Sequence, residues 1–211
     1  MNVAAIASAF ATVFLSVAPM LAPPATPDPP PIPEAVFLQV PYHSQVTETA
    51  LPNACGPAAL LMVLDYLGLE SSLDGVIQRA QSIPVAEGGY DASCSANPVC
   101  TSPATLARVA NGYGLAMDSR DGWALRDVQE SLTSGRPVIA DITWSREGAV
   151  GHFVVIYGLD TERQEVYYHD PYNGAARTAG WAEFAASWNN TVDVGDPLQP
   201  EGHQGNGITI R

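Results

Sequence analysis

Three residues of this 211-residue chain have the types needed to do chemistry together: Cys55, His152 and Asp170. A thiol, an imidazole and a carboxylate supply a nucleophile, a base and a group to orient the base, and the reaction class such a set serves is acyl transfer. Cys55 stands in PNACGPAALLMVLDYLG, His152 opens GHFVVIYG, and Asp170 closes EVYYHD directly before Pro171. Acyl transfer also needs an oxyanion hole. The Cys55 backbone N–H is one donor, and the side-chain amide of Gln45 in VPYHSQ is the candidate for the second.

Each choice has rivals within the chain. Cys94 and Cys100 bracket CSANPVC in a loop rich in Gly, Ser, Pro and Asn, a reach that a disulfide can close, so they are expected to pair. Two surface thiols or a metal pair is the weaker reading, because no second ligand pair with metal-like spacing occurs. Cys55 is then the unpaired cysteine. A lone cysteine is often only a small buried hydrophobe, but this one precedes a helix. His169 adjoins Asp170 and must face the opposite way on a strand. His43 in a polar loop and His203 in the Gly-rich tail read as surface histidines. Gln39, the rival of Gln45, reads as an edge-facing strand position.

The elements that must hold these groups are legible. From Ala58 to Leu67 only Asp65 is charged, so the helix is apolar nearly all round and has to be buried. Pro57 suits its first turn and Gly68 its left-handed stop, which puts Cys55 at the N-terminus. There the helix dipole and the backbone N–H groups favour a thiolate. Gly56 leaves no side chain beside the sulfur and admits a substrate backbone. The run after Gly151 reads as a buried strand with His152, Val154 and Ile156 on one face. GLDTERQ turns it into a second strand ending at Asp170, so His152 and Asp170 can lie side by side. Trp144, near the end of the preceding strand, and Gly151 are expected to line the cleft. Trp181, Phe184 and Trp188 recur at helical spacing and read as a packed face. The loop from Pro84 to Ser102 is long for a compact domain and suits a substrate lid or resistance to proteolysis.

Composition bounds the rest. An apolar content of 46% fills a core, and the length suits one domain. The net charge is −13, and all nine basic residues are scattered arginines, which argues against nucleic acid as a partner. The acidity itself reads as a solvated surface. Residues 1–22 read as an export signal or N-terminal anchor, with no Lys or Arg before the apolar run and no following cysteine to accept a lipid. Residues 23–35 form a Pro-rich linker, eight of the fifteen positions from Pro19 to Pro33 being proline. The folded domain is expected over residues 36–211. A secreted or extracytoplasmic protein follows, with possible membrane or cell-wall association through the N-terminal segment.

VPYHSQ, CGPAALLMVLDYLG, GHFVVIYGLD and VYYHDPY together resemble the C39-like peptidases, a papain-like cysteine peptidase family. The resemblance runs from about Phe37 to Trp188, and the order Gln, Cys, His, Asp matches. It implies an α+β papain-like fold, with the nucleophile helix packed on a C-terminal antiparallel sheet. Carried over, it makes Cys55 the nucleophile, His152 the general base, Asp170 its orienter and Gln45 the oxyanion donor. Gln45 precedes Cys55 by ten residues, a longer gap than papain-like enzymes usually show. Cell-wall amidases of the NlpC/P60 type fit less well, since they usually present DCSG at the nucleophile and this chain presents ACGP. The implied activity is hydrolysis of peptide or related amide bonds in a peptide or protein substrate, through a thioester and without metal or organic cofactor. An acyl or peptidyl transferase on the same triad, and a non-catalytic peptide-binding module, are the alternatives.

Overall fold

The computed structural model describes residues 33–94, 100–144, 150–189 and 205–211. The expected signal, most of the linker and His203 lie outside the described residues. One antiparallel sheet organises the domain. Its strands are β1 (Ala35–Phe37), β2 (Met117–Arg120), β3 (Val138–Trp144), β4 (Val150–Asp160), β5 (Glu165–Asp170), β6 (Gly174–Gly180) and β7 (Asn206–Ile210). They run in the order β2-β7-β3-β4-β5-β6, and β1 pairs with β4 beyond this path. The helices are α1 (Cys55–Tyr66), α2 (Leu73–Gln81), α3 (Pro103–Asn111), α4 (Leu125–Thr133) and α5 (Trp181–Asn189). β1 opens at Ala35, and Glu34 O already accepts from Thr161 N, so ordered pairing begins just ahead of the expected start at Val36.

Both faces of the sheet are covered, which explains why its central strands read as continuous apolar runs rather than alternating ones. Ile139, Phe153, Val155 and Ile208 join the core formed with α1, α2 and α3. Val138, Ala140, Val154, Ile156 and Val166 join a second core with α4 and α5. The period of two along each strand sorts side chains between these cores. α1 is buried from Cys55 to Leu64, and its end is marked by Gly68 at φ +70°. Asp65, its one charge, meets His43 Nε2 at 3.1 Å.

The packed aromatic face is realised. Trp188 lies 5.6 Å from Phe184 and 6.2 Å from Trp181 between ring centres, and its Nε1 donates to Asn206 O at 2.7 Å. That bond ties α5 to the start of β7. Replacing Trp188 by alanine is expected to cost about 3–5 kcal/mol through the cavity it opens. A urea titration followed by far-UV circular dichroism measures it, and an unchanged midpoint would show that α5 is not part of the cooperative core.

Candidate active site

The site grows from the N-terminus of α1. Ala54 is the N-cap residue and no side chain caps the helix, while Pro57 contributes no N–H. The N–H groups of Cys55 and Gly56 therefore open the helix without a competing side-chain cap. Cys55 keeps 7% of its surface exposed, whereas Ala58, Ala59 and Leu60 keep none. Cys94 and Cys100 are joined in a disulfide and Cys55 is the free cysteine, as expected. A Cβ on Gly56 would meet Phe153 Cδ2 at 3.2 Å and Leu106 Cδ2 at 3.3 Å. The glycine thus lets the helix start press against β4, one residue from His152.

β4 and β5 form the anticipated hairpin, with Val155 opposite His169 and Ile156 opposite Tyr168. His152 Nε2 donates to Asp170 Oδ1 at 2.8 Å, with both side chains buried. The same Oδ1 accepts from the backbone N–H groups of Tyr172 and Asn173 at 2.9 and 3.0 Å. Oδ2 accepts from Asn173 Nδ2 at 2.8 Å. With Nε2 engaged by Asp170, His152 also interacts with the Cys55 side chain. The structure thus brings Cys55, His152 and Asp170 into one chain of contacts.

Burial alone would lower the His152 value, but the hydrogen bonds with Asp170 and Cys55 and their negative charges outweigh it and raise it to about 9. Burial likewise pushes the Asp170 carboxyl up, while His152 and the Asn173 donors hold it down at about 2. The signs define a stability window. Asp170 contributes stability present above its ordinary 3.8 and lost as pH falls through about 2. His152 contributes stability present below 6.5 and lost as pH rises through about 9. Urea midpoints of the wild type should therefore fall on both sides of this window, and Asp170→Asn should flatten the acid side. An equally steep acid limb in the variant would remove Asp170 as its source.

Gln45 lies beside the same strand end. Its N–H donates to Pro171 O at 3.0 Å, and Tyr42 Oη donates to Asp170 O and Pro171 O at 3.3 Å. Gln45 is buried, and its Oε1 has no hydrogen-bond partner among the described residues. Gln39 is exposed and follows β1. His169 points away from Asp170 and is structural: Nε2 donates to Val40 O at 2.9 Å and Nδ1 accepts from Ala176 N at 3.1 Å. His43 bridges Glu48 and Asp65. Gly151 pairs with Thr143 in the ladder next to His152, and the side chain of Trp144 lies outside what the structure describes.

Two contributors escaped the sequence reading. Asn173 was signalled by Asp170-Pro-Tyr-Asn, a turn in which a carboxylate commonly receives nearby N–H groups. Tyr90 has no such local signal. It is buried, its Oη donates to Pro52 O at 2.5 Å, and burial followed by the charge of Cys55 raises its phenol to about 12.

The comparisons agree with this architecture. Among functionally curated proteins none matches the chain. A putative C39-like peptidase from Bacillus anthracis is similar in structure, with a TM-score of 0.58 at 18% identity, over 85% of this chain and 98% of the other. A double glycine motif protease from an AMS/PCAT transporter, solved with its leader peptide, has a TM-score of 0.52 at 21% identity, over 83% and 94%. The model of the Peptidase_C39 like family matches residues 37–196. With that match spanning most of the domain, the chain belongs to the Peptidase_C39 like family and is a cysteine peptidase.

Proposed function

We propose that the protein hydrolyses peptide bonds with Cys55 as nucleophile, His152 as acid and base, Asp170 as the orienter of His152, and Gln45 with the Cys55 N–H as oxyanion donors. The observation that carries this reading is His152 itself, bonded through Nε2 to Asp170 and also hydrogen bonded to Cys55. Asp170 holds Nε2, so Nδ1 is the nitrogen that exchanges a proton with the sulfur and the substrate.

In the first half-reaction the thiolate attacks the scissile carbonyl carbon, and the carbonyl oxygen becomes an oxyanion received by the N–H donors. The protonated Nδ1 gives its proton to the amine nitrogen as the C–N bond breaks, leaving a thioester on Cys55. Water then gives a proton to Nδ1 and attacks the thioester. Collapse expels the sulfur as thiolate beside the protonated imidazole and releases a carboxylic acid, which gives its proton to solvent. The reaction as written draws on no metal or organic cofactor. Gly151 and Trp144 are the residues we assign to the substrate cleft, whereas the buried Gly56 faces Phe153 and Leu106 and serves packing.

A relative solved with a leader peptide supports a peptide or protein as substrate. The Cys94–Cys100 disulfide suits an oxidising compartment and supports export through residues 1–22, with residues 23–35 as spacer. Among the described residues no helix is long and apolar enough to cross a membrane.

The test is digestion of casein in water enriched in oxygen-18, with mass spectrometry of the products. Hydrolysis places the heavy oxygen in each new carboxyl terminus. Products joined to an added amine without the label would make the enzyme a transferase, and no cleavage or transfer at all would favour a binding module.

A further inference from the structure

A helix start is ordinarily aimed by a side chain at its N-cap, and α1 has none. A side chain at that position would accept from the Gly56 N–H, directly beside the Cys55 N–H assigned to the oxyanion. Something else must therefore fix the direction of the Cys55 N–H and thiol. The segment Pro52–Ala54 leads directly into the helix, and two hydrogen bonds from outside grip it. Tyr90 Oη donates to Pro52 O at 2.5 Å, and Asn53 Nδ2 donates to Ala92 O at 3.0 Å. Asn53 adopts φ +58°, the left-handed region in which asparagine is among the tolerated residues.

The gripping turn is itself held at both ends. Tyr90 N donates to Ala80 O at 3.1 Å, and Asp91 N donates to Cys100 O at 2.7 Å. The disulfide from Cys94 to Cys100 then closes the turn just beyond Ala92. A Cβ on Gly89 would fall 1.9 Å from Ile83 O, so only glycine lets the chain run this close to the end of α2. Tyr90 is 3% exposed. Rigid attachment, burial and a bond to the segment that enters the Cys55 helix occur together on this one turn.

Resting on Cys55 as the nucleophile, we infer that the disulfide-closed turn bearing Tyr90 and Ala92 is a clamp on Pro52–Ala54 that sets the attack geometry of Cys55. Tyr90 and Asn53 are positioning residues, acting through the backbone that carries the nucleophile. The disulfide serves the clamp by holding the turn to which both bonds run.

The experiment is the rate of Cys55 alkylation by iodoacetamide at pH 6 in the full-length protein, read by peptide mass spectrometry. Tyr90→Phe keeps the ring and removes one bond; Asn53→Gly keeps the left-handed backbone and removes the other. Tyr90→Phe, which loses a part-buried bond, is expected to slow alkylation about tenfold, and Asn53→Gly, which loses an exposed one, about threefold. Cys94→Ala/Cys100→Ala should slow it likewise, and adding Tyr90→Phe to that background should cost less than about twofold further, because both act through the same turn. Wild-type rates in Tyr90→Phe and Asn53→Gly, with His152→Ala still slow, would overturn the clamp alone. A slow wild type unaffected by His152→Ala would instead overturn the nucleophile on which the clamp rests. Should the disulfide-free variant fail to fold, the two single variants decide, since each keeps the bridge.

Discussion

Cys55→Ala is expected to abolish peptide hydrolysis, with a loss of at least about 10,000-fold in kcat. The proposed chemistry runs through the sulfur, and alanine offers no nucleophile in its place. The fold should survive the change. Cys55 forms no disulfide, and alanine fills a position whose side chain lies at the edge of the α1 core. Casein cleavage followed by peptide mass spectrometry measures the loss. Retained cleavage at even a tenth of the wild-type rate would remove Cys55 as nucleophile, whatever the geometry around it.

Asp170→Asn gives the second large effect, and it has a diagnostic pH signature. Asparagine keeps one oxygen for the three donors gathered on Oδ1, while Asn173 can turn its amide to face the new NH2 group. The architecture is conserved and the charge is lost. kcat is expected to fall about 100- to 10,000-fold, as when the orienting carboxylate of a hydrolytic triad is neutralised. In the wild type the hydrogen bond and charge of Asp170 help hold His152 at about 9, so kcat/KM should fall at alkaline pH as that proton is lost. Removing the carboxylate lowers the His152 value and moves the alkaline limb to lower pH. A limb that stays near pH 9 in the variant would assign it to another group.

The parts of the site that sequence discloses are those written in local order. Pro57 and Gly68 bracket a helix whose uniform apolarity demands burial, and that burial fixes Cys55 at the edge of the core. Between β4 and β5 a polar turn separates two short β-rich runs, so the pairing that sets His152 against Asp170 follows from hairpin geometry. The disulfide was equally local, its two cysteines standing six residues apart.

What remained hidden depends on long-range pairing. β7 inserts between β2 and β3, joining Ile208 to Ile139 and Ser119 across large sequence separations. No periodicity within a strand states which edge it will meet. The second face of the sheet was hidden for the same reason: Val154 and Ile156 read as buried, but that α4 and α5 cover them is a property of the assembled layers. Tyr90 lies 38 positions from the Pro52 carbonyl it binds, and its local sequence looks like ordinary loop. Gly56 shows the opposite case, where residue type was readable and its setting was not. Its vacant side-chain direction faces Phe153 and Leu106, so close packing of α1 on β4 is the property it secures.

The proposed chemistry depends on activation of the Cys55 thiol by His152. Its most direct test is the rate of Cys55 alkylation by iodoacetamide measured from pH 5 to pH 10 in the wild type and in His152→Ala. Rapid labelling well below pH 8 in the wild type, collapsing in the variant to the profile of an ordinary thiol, is the predicted result. Slow labelling with the same ordinary profile in both proteins would contradict it and make Cys55 a structural residue of the helix start.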